Sequence, residues 1–398
     1  MTVHSGEARS YRWRLSLFFA AQFGLYGLQL PYFSVWLDWR GLTATEIGMV
    51  VAVPMLLRIL VGPTAAFLAD RAGDRRRAIM IGAACALTAV LALTQSSGLA
   101  VIGVLTAIFL VGVQTGGPIG EAIALAGVRD HGLDYGRMRL WGSISFIAAT
   151  FAGGAMLAWA GAGSVIWMVV ASMAIVLVSA WLLPMSRTHS VGDEQATARG
   201  PVTLADVRSM AGSPTFLLLI ASAGLVQASH ALFYAFGVLH WKAQGIPTGI
   251  ISTLWSISIV VEVAVFAWSG WLVSAFGPLR LILLGASAAV LRWGFMAFDP
   301  PVAMLVPLQM LHAVTFGITH LGTMYFIQQA VPREQAGTAQ AIFAAATGGL
   351  GMSGATLLSG YLFAPYAGMS YLAMAAIAGV AWVAAVTLKR LWKPEQQA

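Results

Sequence analysis

The chain is constrained most by the recurrence of apolar runs about as long as a bilayer is thick. A helix needs about 20 predominantly apolar residues to cross the hydrocarbon core. Such runs are predicted near 13–38, 46–68, 77–95, 99–122, 138–160 and 164–184, and again near 213–238, 248–274, 278–298, 302–329, 336–363 and 368–389. Backbone groups in lipid have no water to bond, so runs of this kind must become helices. Composition agrees: 59% of residues are hydrophobic and only 9% charged, against about 25% charged in soluble domains. The expected fold class is an all-α membrane protein with 12 transmembrane helices.

The pI of about 9.9 would suggest nucleic acid in a soluble protein. Here the basic residues fall in loops beside apolar runs, which points to membrane lipid and orientation, with no nucleic-acid partner. Eighteen of the 22 Lys and Arg lie in the termini and in alternate loops on one side, whereas Arg40 and Lys242 lie on the other. Both termini are therefore expected to be cytoplasmic. Met1 to Arg14 is polar and basic, and the apolar run after it is too long for a signal-peptide core. The single cysteine, Cys85, lies within an apolar run and offers no disulfide or cysteine metal site. A monomer is expected.

The longest polar stretch, Ser186 to Gly212, divides the spans six and six. The expected organisation is an N-terminal half over 1–184, a cytoplasmic central loop over 185–212 and a C-terminal half over 213–398. The loop reads as a linker, with Leu204–Met210 as a short interfacial helix. Asp70 to Arg76 after the second span is echoed by Ser274 to Arg280 after the eighth. Aligning Gly73 with Gly277 and Arg76 with Arg280 gives one offset of 204 positions, as expected of two parallel six-helix repeats. The same offset sets Arg58 against Glu262, two opposite charges at equivalent positions that would face a shared central cavity.

Charges inside spans cost roughly 2.5–3.5 kcal/mol each, so each needs a partner or a task. Glu121 and Arg139 stand at the end of one span and the head of the next. They form either a structural pair or a guanidinium–carboxylate site for a polar or anionic ligand. Glu262, Arg292, His312 and His320 form a second group, either a fixed salt bridge with two satisfied histidines or a proton-coupling cluster. His312 and His320 are eight positions apart and so share a helix face. Arg58, in mid-span, is expected to serve the cavity. His230 and Tyr234, four apart, share a face that either lines a cavity or bonds neighbouring helices. Trp141 and Phe146 are candidates for stacking on a ligand ring.

The Asp-Arg-x-Gly-x-Arg-Arg run at Asp70 to Arg76 resembles the loop 2–3 signature of the major facilitator superfamily, with Ala66 where that signature has a glycine. The resemblance covers the whole chain and implies the major facilitator fold of two six-helix parallel repeats, alternating access, and a gating role for Asp70, Arg71, Arg75 and Arg76. Within the superfamily, Pro31 to Leu37, and Glu121 followed 18 residues later by Arg139, are similar to lactose permease. Asp134 to Ser143, Ala228 to Ala231, Val261 to Val263, Leu291 to Gly294 and Leu311-His312 resemble the bacterial phenylpropionate permeases more closely. In lactose permease an arginine and a histidine 20 residues apart serve proton coupling, a spacing kept by Arg292 and His312. Thr315 stands where that protein has its proton-carrying glutamate, which argues against a galactoside.

No Gly-x-x-x-x-Gly-Lys-Ser/Thr run, hydrolase elbow or His-Glu-x-x-His appears, so neither an ATP-driven pump nor an enzyme is expected. The expectation is a proton-coupled importer of a small aromatic carboxylate such as phenylpropionate in a bacterial inner membrane, with the proton as coupling ion and no cofactor or metal. Alternatives are a sugar or nucleoside symporter, a drug/proton antiporter and a non-transporting membrane sensor. Span five reads Gly142-Ser143-Ile144-Ser145-Phe146 and lacks the Gly-Pro-x-x-Gly-Gly signature usual in antiporters.

Overall fold

The computed structural model describes residues 2–184, 208–210, 212–332 and 335–392. All twelve expected spans are helical: α1 (Thr2–Trp39), α2 (Ala44–Ala72), α3 (Arg75–Leu93), α4 (Leu99–His131), α5 (Tyr135–Ala160), α6 (Val165–Leu182), α7 (Pro214–Ala243), α8 (residues 248–276, broken at Trp268), α9 (Pro278–Met296), α10 (Val302–Ala330), α11 (residues 336–366) and α12 (Tyr371–Leu391). Among the described residues, ten helical runs are long and apolar enough to cross a membrane. One of them, Ala336–Leu391, holds both α11 and α12, which part at Ala367 (φ 44°). α1, interrupted by glutamine, tyrosine and tryptophan, is not among the ten. Of the expected interfacial helix, residues 208–210 are helical and the rest lies outside the described residues.

Helix ends follow local chemistry. The carboxylates of Asp74 and Asp134 accept from the backbone N–H groups of Arg77 and Arg137, capping α3 and α5. α1 and α7 end in the same way. Gly41 and Gly245 take positive φ (85° and 78°), and Leu42 N–H and Ile246 N–H reach back to the carbonyls of Leu37 and Trp241. Only a residue without a β-carbon takes this left-handed turn cheaply. Gly73 and Gly277 also have positive φ (66° and 71°). Both glycine pairs lie 204 positions apart, so the offset that aligns Arg58 with Glu262 recurs in the backbone.

The chain gathers into two compact units, Met1–Thr188 with Ala235–Ser256, and His189–Tyr234 with Ile257–Ala398. The division expected from chain order differs by one hairpin, α7 into α8, which groups with the first unit. There Tyr32 donates to the Thr150 carbonyl (2.7 Å) and lies 2.9 Å from Ser252 Oγ. A β-carbon on Gly154 of α5 would collide with that serine. Small residues let helix backbones approach closely in lipid, and α3 and α4 use Gly82 and Gly112 in this way. In the second unit, Ile282, Phe326, Ile327, Phe343 and Leu388 form an apolar core, and the Trp293 and Tyr371 rings stack at 5.7 Å.

Three π turns interrupt the described helices of the second unit. π turns occupy Ile220–Gly224 in α7, Ala313–Ile318 in α10 and Ala345–Gly351 in α11. Such turns interrupt the regular backbone ladder and are frequent at functional sites.

Candidate functional site

In the second unit a chain of polar groups connects α7, α8, α9 and α10. Arg292 of α9 is fully buried. Its guanidinium donates to Gln309 Oε1 at 3.0 Å, to Thr315 Oγ1 at 3.2 Å and to His312 Nδ1 at 3.2 Å. Phe233 and Trp293 present ring faces to it, 5.3 and 4.4 Å away, which adds electrostatic attraction.

These contacts assign the imidazole tautomers. Arginine only donates, so His312 Nδ1 is bare and its proton sits on Nε2. Nε2 lies 3.3 Å from Glu262 Oε2 and faces it as a donor. His230 is held the other way round. Its Nδ1 is 3.0 Å from the Val226 carbonyl and 3.2 Å from that of Gln227, so Nδ1 carries the proton. Nε2 then accepts from the Thr315 hydroxyl at 2.9 Å. Where α7 breaks its regular ladder at Ser229 and His230, the His230 backbone N–H turns to the Gln227 carbonyl at 3.1 Å and no longer occupies that of Val226. His312 thus links Arg292 to Glu262. Gly317 faces the Glu262 side chain, where a β-carbon would sit in ordinary contact with Glu262 Cγ at 3.4 Å.

His320 stacks on Phe316, which stacks in turn on His312. Tyr234 stacks on His230 at 5.7 Å. The structure therefore brings together five of the expected residues of this unit and His320 at one remove. It adds three that the sequence did not single out as a site: Gln309, Thr315 and Phe316. Gln309 lies one helical turn before His312, a spacing that could have marked it.

The first unit holds a second, more open cluster. Arg139 Nε is 3.8 Å from Glu121 Oε1, with the two side chains 30% and 36% exposed. The pair is not bidentate. Tyr135 donates to Glu121 Oε2 at 2.6 Å, a charge-assisted bond, and Arg139 lies 3.5 Å over the Phe23 ring. Tyr26 of α1 is within the electrostatic reach of both Arg58 and Arg139, and the Arg58 side chain is exposed. Tyr135 and Phe23 escaped the sequence reading because nothing in their spacing ties them to Glu121.

Trp141 and Phe146 are placed differently from a ligand-stacking pair. Trp141 is exposed beside the exposed Trp13, ring centroids 6.3 Å apart, the arrangement of an interfacial aromatic anchor. Phe146 is buried, its backbone against Gly27 of α1. Of the residues expected to gate, Arg76 donates to the Leu183 carbonyl at 3.3 Å and Arg71 is exposed. Arg75 is half-buried, and the Asp70 side chain lies outside the described set. Among the described residues, no three His, Cys, Asp or Glu side chains gather as a metal would require.

Among the described residues, twelve mostly apolar helices that carry ionisable groups within them in both units define a polytopic membrane transporter. The chain belongs to the MFS_1 like family, whose model matches residues 12–373. It is 28% identical to the "Probable 3-phenylpropionic acid transporter" of Escherichia coli (strain K12), over 89% of this chain and 92% of that one. It is also 28% identical to the maltose permease of Geobacillus stearothermophilus, over 87% and 86%. Among solved structures it resembles the nucleoside transporter NupG, with a TM-score of 0.82 and 18% identity over 96% of this chain and all of that one. It also resembles a D-xylose-proton symporter, with a TM-score of 0.70 and 16% identity over 97% and 98%. The protein is a multi-pass membrane transporter of small solutes, not an enzyme.

Proposed function

We propose that this transporter is a proton symporter importing a small aromatic carboxylate of the phenylpropionate type across a bacterial inner membrane, with both termini cytoplasmic. The observation that carries the reading is the directed chain from Arg292 through neutral His312 to Glu262. Arg292 donors occupy the neighbourhood of His312 Nδ1, so a second proton on that ring would face like charge. The proton therefore enters at Glu262. A protonated Glu262 no longer needs the Nε2–H as a partner, and His312 is freed to donate to the solute's carboxylate. In the first unit Tyr135 donates to Glu121 and keeps it satisfied, which leaves Arg139 able to engage an anion. The similarity to the phenylpropionic acid transporter supports the choice of solute. The maltose permease and the D-xylose symporter give the sugar reading a place as the competing arm of the test.

One proton carried with a monoanion is electroneutral, whereas a neutral solute with a proton would gain about 2.3 kcal/mol per 100 mV. The test records external pH in lightly buffered, de-energised cells on adding 3-phenylpropionate, then maltose. Alkalinisation with the aromatic acid, lost in Glu262→Gln although the protein reaches the membrane, is the expected result. Alkalinisation with maltose alone would overturn the substrate class, and undiminished alkalinisation in Glu262→Gln would overturn the proton site.

A further inference from the structure

The π turn of α10 displays one aromatic side chain that the coupling chemistry does not use. Phe316 lies between His312 and His320 at intervals of four residues. The three rings are nearly parallel, each neighbouring pair tilted by 7°, with centroids 5.5 and 6.3 Å apart. His230 meets the Phe316 ring edge-on at 6.1 Å and 80°. Its sequence neighbours Thr315 and Gly317 are buried, whereas Phe316 keeps part of its surface open. That opening is not a lipid face. Glu262 contacts His312 at 3.3 Å and acts electrostatically on His320, so the side of α10 that bears these rings also bears a carboxylate. Apolar surface beside ionisable groups in a membrane protein marks a polar interior rather than lipid.

A phenyl ring in this position has its rotamer set by contacts on three sides, so its open edge can meet a second ring edge-to-face with little entropy left to lose. An alkyl chain of similar length would gain contact area from it but no ring-to-ring geometry. We propose that Phe316 is the specificity-determining residue that reads the aryl group of the solute, with the imidazole ladder holding it in place. The inference rests on the reading of the solute as an aryl carboxylate.

The experiment measures initial uptake of 3-phenylpropionate and of hexanoate in cells producing wild type, Phe316→Leu or Phe316→Tyr, normalised to the amount of transporter in the membrane. Aromatic pairs contribute enough to make a change of about fivefold to tenfold. Expected is a fall of that size in the aryl-to-alkyl uptake ratio for Phe316→Leu, and recovery of the ratio when Phe316→Tyr restores a ring. A leucine variant that keeps the wild-type ratio, or a tyrosine variant that shares the loss, overturns the role of Phe316 while leaving the solute class intact. Wild type that carries neither acid overturns the solute class, and the inference with it.

Discussion

Replacing Thr315 by valine removes one hydroxyl and keeps the shape of the side chain. The oxygen accepts from Arg292 at 3.2 Å and donates to His230 Nε2 at 2.9 Å. Thr315, Arg292 and His230 are all fully buried, so water cannot replace what is lost. Interhelical hydrogen bonds in membranes average about 0.6 kcal/mol and reach about 1.7. A buried donor of a charged group left without a partner costs more, about 1–3 kcal/mol. With one bond of each kind removed, Thr315→Val should destabilise the second unit by about 2–4 kcal/mol. A unit of this size loses about 2–4 °C of Tm per kcal/mol, so a shift of about 4–16 °C is expected in detergent-purified protein followed by tryptophan fluorescence. Thr315→Ser keeps the hydroxyl and should stay within about 2 °C of wild type. The reasoning is refuted if valine is as stable as wild type, or if serine is as damaging as valine.

Two further outcomes test the first unit. Tyr135→Phe removes the 2.6 Å bond to Glu121, leaving the carboxylate to compete for Arg139; the KM for 3-phenylpropionate should rise about threefold to tenfold, a loss of about 1 kcal/mol, and an unchanged KM would show that Tyr135 does not share the pair. A β-carbon on Gly112 would lie 2.5 Å from the Gly82 carbonyl oxygen and 3.0 Å from Ala86 Cβ, so Gly112→Val should separate α3 from α4 and cost about 1–3 kcal/mol. Gly103→Ala, whose nearest neighbour would be Val50 Cγ2 at 3.9 Å, should leave thermal stability unchanged.

Much of this architecture was legible in the chain. The apolar runs are helices because lipid leaves the backbone no other partner, and the offset aligning Arg58 with Glu262 reappears in Gly41 and Gly245, which the alignment never used. Glu121 and Arg139 were expected to meet, and they do. The surroundings of Trp141 were not legible in the chain. Trp141 is two residues from Arg139 and therefore on a different face of α5, where it joins Trp13 instead of the charged pair.

The sequence by itself determined where helices run, how they turn and which spans carry charge, because burial pattern, capping residues and positive-φ glycines act within a few neighbouring residues. Only the tertiary structure decided who partners whom. Arg292 donates to Gln309, Thr315 and His312, and His312 reaches Glu262, through approaches of about 3 Å between three helices. Those distances depend on helix rotation and on the π turn at 313–318. Spacing along a chain chooses a face, but a hydrogen bond forms or fails within a few tenths of an ångström, and that margin is set by packing.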